Sequence, residues 1–134
     1  MPRFAVRRLA EIPTVADADV DWHPLQHHFG LTAFGANVFV ARAAGDELVG
    51  AHDEKGSDQE ELYVVLRGSV RFTLDGEQHD VEAVSVVAVA DPAVRREAVA
   101  LEPGATVLAV GAEGREAFAS TWRAAWFEGV PKAR

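Results

Sequence analysis

The sequence predicts an all-β fold, a barrel or a sandwich of short strands. Three observations carry that expectation. Segments rich in β-formers recur through the middle of the chain, turn signals separate them every ten residues or so, and no long helical pattern alternates with them as a βαβ sheet requires.

Phe34 to Ala43 (FGANVFVARA) is the first such segment, followed by a turn at Gly45-Asp46. Leu48-Val49 resumes an extended run toward His52, and Lys55 to Gln59 forms a polar loop around Gly56. Leu62 to Leu66 reads as a buried strand closed by Gly68. Val70 to Leu74 alternates and meets Asp75-Gly76, a dipeptide that tolerates the positive φ angles of a tight hairpin turn. Val81 to Val89 reads as one Val- and Ala-rich strand, broken at Asp91-Pro92 because proline donates no ladder hydrogen bond. Val94 to Leu101 follows, Glu102-Pro103-Gly104 turns, and Thr106 to Val110 is the last strand.

The ends differ from this pattern. Pro24 to Phe29 predicts one or two helical turns with proline well placed at the start. Glu116 to Phe127 predicts a C-terminal helix, because Phe118, Trp122 and Trp126 recur every four residues and would share one face. Gly129 and Pro131 end it. That aromatic face is expected to pack against the body or a partner subunit. The chain of 134 residues is expected to form one domain, with its core over about 35–111, an N-terminal arm over 1–34 and the helix over about 115–127.

Composition narrows the function. The net charge of −8 opposes binding to nucleic acid, which needs a basic face, and opposes docking on anionic membrane. The absence of cysteine excludes disulfides, zinc thiolate sites and thiol chemistry. Met1 to Arg8 carries charge but no following apolar core, so it does not read as a signal peptide, and no apolar run is long enough to span a bilayer. A cytoplasmic location is the expectation.

The run Gln59-Glu60-Glu61-Leu62-Tyr63-Val64-Val65-Leu66-Arg67-Gly68 resembles the first motif of the cupin superfamily, in which a glutamate precedes a glycine by this spacing. Phe72-Thr73-Leu74-Asp75-Gly76-Glu77 continues the likeness. The second cupin motif aligns with Ser85, Asp91, Ala93 and Arg96, where the frame of strand, proline turn and strand survives but each signature residue has changed. The resemblance spans about 37–110 and is to small single-domain bacterial cupins with degenerate metal motifs. It implies a double-stranded β-helix (jelly-roll) barrel whose paired histidines, glutamate and final histidine point inward around one divalent metal.

Carried onto these positions, His52 takes the first histidine's place and Glu54 stands in for the second. Strand alternation would set the two on one face, although Glu54 lies farther from Glu61 than the family spacing allows. Glu61 fits its position. Arg96 falls where the last histidine belongs, and arginine has no lone pair for a metal. The resemblance therefore implies either an interior Arg96–Glu61 ion pair or an arginine fork that recognises an anion. Arg95 facing inward in its place is the other register. Tyr63, two residues beyond Glu61, points the same way; its hydroxyl lines a pocket or bonds backbone in the core.

The remaining histidines say less. His23 and His27 are four apart, with His28 adjacent, a spacing that can hold a metal on a helix but more often marks isolated histidines. His79 is expected to be exposed. The serines Ser57, Ser69, Ser85 and Ser120 lack a nucleophile's context.

These features favour a small-molecule-binding barrel with a pocket of His52, Glu54, Glu61, Tyr63 and Arg96 and without the usual metal. The alternative is a metal-dependent oxygenase or isomerase acting on a sugar or small acid, with Fe, Mn, Ni or Zn held by His52, Glu54 and Glu61. A homodimer is expected, because exposed sheet edges need cover.

Overall fold

A computed structural model describes residues 3–114 and 117–133. The β-formers condense into strands β1 (Asp21–Pro24), β2 (Gly35–Val40), β3 (Glu47–His52), β4 (Gln59–Arg67), β5 (Ser69–Leu74), β6 (Glu77–Glu82), β7 (Ser85–Val89), β8 (Arg96–Ala100) and β9 (Thr106–Glu113). They form two antiparallel sheets, ordered β1-β2-β9-β4-β7 and β3-β8-β5-β6. Among the described residues no strand pairing joins one sheet to the other, so the hydrogen-bonded ladder is not closed into the expected barrel.

Period-two alternation decides what is buried. Along β4, Tyr63 and Val65 face the second sheet and are buried, while Leu62 and Leu66 on either side of them stay exposed. Val70 and Phe72 of β5, Ala98 and Ala100 of β8, and Val107 of β9 meet them to form the core. The Tyr63 and Phe72 rings lie 5.6 Å apart at a tilted angle, within the range in which aromatic pairs attract beyond simple burial.

Two glycines explain the legible turns. Asp75 and Gly76 both have positive φ, 48° and 84°, and pair Leu74 with Glu77 across the hairpin. Gly68, between β4 and β5, sits at φ 74°; a Cβ there would lie 3.1 Å from Ala105 Cα, so both conformation and space require glycine.

Three expectations are corrected. Val81 to Val89 is not one strand: β6 ends at Glu82 and β7 begins at Ser85, in different sheets. An apolar run without clean alternation hides the corner at which the chain changes layer. The N-terminal arm contains a strand, β1, which pairs with β2 at the sheet edge, where the terminal Pro24 is tolerated. The predicted helix over Glu116–Phe127 is reduced to a 3-10 turn, Ala124–Phe127, and residues 117–123 are not helical; Arg115 and Glu116 lie outside the described residues. A helix this short is marginal without tertiary packing, and Phe118, Trp122 and Trp126 are exposed. Trp122 instead stacks on Phe127 with ring centroids 6.1 Å apart. The helix expected after Pro24 is present as α1, Leu25–Phe29, ended by Gly30 at φ 66°. Among the described residues no helix is long and apolar enough to cross a membrane.

Candidate functional site

The site forms between the sheets because each contributes inward-facing polar residues at one level. Glu61 and Tyr63 come from β4; His52 ends β3 and is the cross-strand partner of Arg96, which begins β8. Gly111 of β9 lies opposite Glu61. A Cβ at Gly111 would come within 3.2 Å of Glu61 Cγ, so the glycine leaves room for the carboxylate arm.

Arg96, rather than Arg95, occupies the interior and is 0% exposed. Its Nη1 donates to Glu61 Oε1 at 2.7 Å. Nε and Nη2 donate to the Val94 carbonyl at 3.1 and 2.8 Å, and Nη2 also reaches the Asp91 and Pro92 carbonyls at 3.3 and 3.4 Å. The guanidinium thus closes on its own preceding loop and on β4, which satisfies a buried cation with charge and hydrogen bonds together. Among the described residues no buried side-chain polar atom lacks a hydrogen-bond partner.

Glu61 Oε1 is shared. The Tyr63 hydroxyl donates to it at 2.6 Å, and His52 Nε2 lies 3.7 Å away. Tyr63 therefore bonds a carboxylate, not backbone. Burial, then the hydrogen bond to Glu61 and the Glu61 charge, raise the phenol above its ordinary range and hold it protonated.

Glu54 reaches the site differently from the sequence expectation. β3 ends at His52, so Glu54 is not a strand neighbour of His52 but belongs to a turn. Its backbone N–H donates to the Pro92 carbonyl at 2.8 Å, and its own carbonyl accepts from Ser57 and Asp58 N–H. The longer loop folds the carboxylate back, with Oε1 2.8 Å from His52 Nε2 and Oε2 accepting from Ser57 Oγ. Burial pushes the Glu54 carboxyl up, but the hydrogen bonds from Ser57 and His52 and the charges of His52 and Arg96 outweigh it and hold the group below its ordinary value.

His52 has acceptors at both ring nitrogens, since Nδ1 is 2.6 Å from the Gly50 carbonyl. A neutral imidazole carries one N–H, so the second contact needs a proton on the ring or on Glu54, or an ion at Nε2. The ligand atoms of His52, Glu54 and Glu61 lie within 4.8 Å of one another, close enough for one metal ion. The set as it stands suits a divalent ion badly: the Glu61 oxygen nearest His52 already serves Arg96 and Tyr63, and a fixed guanidinium charge stands beside it.

All five sequence-predicted residues thus converge. A cavity of about 250 Å³ opens beside them, lined by Asn37, Phe39, Gly50, His52, Glu61 and Tyr63. Sequence reasoning missed Asn37, Phe39 and Ser57. Alternation along β2 does put Asn37 and Phe39 on one face, and Trp22 Nε1 fixes the Asn37 amide by donating to its Oδ1 at 2.8 Å. The His23–His27 pairing does not form: His23 is buried in β1 with Nδ1 2.8 Å from the Ile12 carbonyl, while His27 belongs to α1. His79 is exposed beside Glu77.

No family model matches the sequence, and no curated protein matches it. Solved structures do match in fold. A cupin protein from Bacteroides fragilis superposes with a TM-score of 0.64 at 22% identity, over 81% of this chain and 87% of that one. A cupin 2 conserved barrel domain protein from Salinispora arenicola gives 0.63 at 19% identity, over 83% and 90%. A sugar phosphate isomerase from a cupin superfamily, from Silicibacter pomeroyi, gives 0.60 at 21% identity, over 70% of this chain and 59% of that one. These solved structures share the strand arrangement over most of this chain, which has the cupin fold.

Proposed function

We propose that this protein is a metal-independent cupin barrel that binds a small, uncharged, hydroxyl-bearing molecule between its sheets. The observation that carries the reading is the Arg96–Glu61 pair at 2.7 Å, which puts a permanent cation where the family's last metal ligand belongs. The arginine's donors are directed at Glu61 and at loop carbonyls, which weighs against the alternative that it recognises an anion. What faces the cavity is an aromatic wall, Phe39, with Asn37, His52 and Glu61 as hydrogen-bonding groups, a combination suited to hydroxyls.

The test is metal analysis of untagged protein, together with a thermal-shift panel of neutral polyols, sugar phosphates and small acids. Substoichiometric metal and stabilisation by neutral polyols alone are expected. A stoichiometric divalent metal that Glu61→Gln removes would overturn the reading.

The second reading is a metal-dependent isomerase or oxygenase acting on a sugar or small acid. It is favoured by the cluster of His52, Glu54 and Glu61 and by the naming of one fold neighbour as a sugar phosphate isomerase. His52 is oriented as a ligand would be, with Nδ1 on a backbone carbonyl and Nε2 toward the carboxylates. An ion held there would supply Lewis-acid chemistry. The cytoplasm is the proposed location.

A further inference from the structure

The outer face of the first sheet is covered on one half and bare on the other. On the β1–β2 half, His23, Ala36 and Val38 are buried, with Ile12 of the N-terminal arm buried there and bonded to His23. Register carries the same face across to Leu62 of β4 and Ala88 of β7, which stand in one row with Ala36 and Val110, and to Val86, in the row of Val38 and Leu108. Here Leu62, Leu66, Val84 and Val86 are exposed, Val86 at 60%.

The free edges differ in the same sense. β6, at the end of the second sheet, reads Glu-Gln-His-Asp-Val-Glu, a charged edge of the kind that resists pairing. β7, at the end of the first, reads Ser-Val-Val-Ala-Val and carries no charge. β7 thus lacks the charges that resist edge pairing and lies beside an apolar face.

The C-terminal segment supplies what such a partner needs. Phe118 is 93% exposed, Trp122 67% and Trp126 62%. The segment starts at the rim of the bare face, where Ala117 and Phe118 help line a cleft of about 370 Å³ with Glu60, Leu62, Ala88 and Val110. A large aromatic buries roughly 150–250 Å², so these side chains with Phe127 and the exposed Leu and Val of the face offer on the order of 1,000 Å². That exceeds the apolar patch of a typical monomer and reaches the ~800 Å² per partner of a stable interface. Charge agrees: after residue 116 the chain has Arg123, Lys132 and Arg134 against Glu128 alone, while the whole chain carries −8.

We propose that the outer face of β4, β7 and β9 is the docking surface for a second copy of this chain, whose C-terminal aromatic segment covers it in a symmetric dimer. The contact is isologous, since each copy offers both the segment and the face.

Light scattering at tens of micromolar tests it on the full chain. The wild type is expected at about twice 14.4 kDa. Val86→Glu, at an exposed site, is expected to weaken the dimer by about tenfold or more, by placing a charge in an apolar contact. The double variant Trp122→Ser with Trp126→Ser is expected to do the same, and it touches no core residue, so it decides the matter if the first variant fails to fold. A monomeric wild type, including one that binds lipid vesicles through the segment instead, overturns the proposal. A dimer that persists in the tail variant or in folded Val86→Glu overturns it too.

Discussion

Replacing Arg96 by Met removes the one cation of the interior cluster whose charge does not depend on pH, while keeping much of its apolar stem. Glu61 then keeps a buried carboxylate with only the Tyr63 hydroxyl at 2.6 Å and His52 at 3.7 Å to compensate it. Breaking one side of a buried pair costs about 3–5 kcal/mol. The lower end applies here, because the carbonyls that lose their donor, those of Asp91, Pro92 and Val94, belong to residues that water reaches. About 3 kcal/mol is a large fraction of the roughly 5–15 kcal/mol that holds a domain together. Against a urea slope of about 1–3 kcal/mol per molar, it moves the unfolding midpoint by about 1–3 M. Glu61→Gln alone leaves Arg96 buried without its counter-charge and is expected to cost a similar amount. The double variant is expected to cost less than the sum by about 1–3 kcal/mol, the coupling of groups in direct contact. Urea unfolding of the four proteins measures the cycle. Strictly additive losses, or a loss under about 1 kcal/mol for Arg96→Met, would refute the assignment of Arg96 and Glu61 as mutually dependent.

Arg96→His restores the family's missing ligand type beside His52, Glu54 and Glu61; calorimetry is expected to show nickel or zinc binding at least tenfold tighter than wild type, as about 1.4 kcal/mol of added coordination would give. Gly68→Ala is expected to destabilise by about 1–2 kcal/mol for the positive φ alone and further for the contact with Ala105, read by thermal unfolding; a neutral result would contradict the turn geometry. Glu54, held below its ordinary 4.5, stabilises the fold above that value and loses this contribution as pH falls through its lowered folded value. Ser57→Ala is therefore expected to be destabilising near about pH 7 and to approach wild type as pH falls through the lowered folded value of Glu54 in paired urea titrations; a gap independent of pH would place the Ser57 contribution elsewhere.

The fold was legible where local chemistry and global arrangement coincide. Asp75-Gly76 names its own hairpin, and Gly68 marks a turn that no residue with a Cβ fits. Legibility failed where a segment's conformation depends on what covers it. Val81 to Val89 contains enough valine for one strand, and only the corner between the sheets divides it. The spacing of Phe118, Trp122 and Trp126 describes a helix face, yet periodicity states which residues would align, not that a surface exists to receive them.

The site shows the same division. Glu61 and Tyr63 share a face by alternation along one strand, whereas motif spacing left Arg95 and Arg96 as two registers, and the structure buries Arg96. Glu54 reaches His52 by a turn and not by strand alternation. No periodicity carries a side chain around the turn at 53–58; what returns it is the bond of its own N–H to Pro92 and the Ser57 hydroxyl on its carboxylate. That return also gives the altered site its internal logic. Two carboxylates at one imidazole would repel each other in a dry interior unless a positive charge offset them. Here the guanidinium of Arg96 sits on Glu61 Oε1, and its charge also acts on Glu54. The charges at positions 54 and 96 are therefore coupled through the cluster: Arg96 pairs directly with Glu61 and also lowers the cost of the Glu54 carboxylate. Glu54→His, in an otherwise wild-type chain, is accordingly expected to weaken the cluster rather than repair it, because it adds a second imidazole beside a cation that remains. Urea unfolding measures it, with a loss of about 1 kcal/mol or more expected; a variant as stable as wild type would show that the two positions are independent.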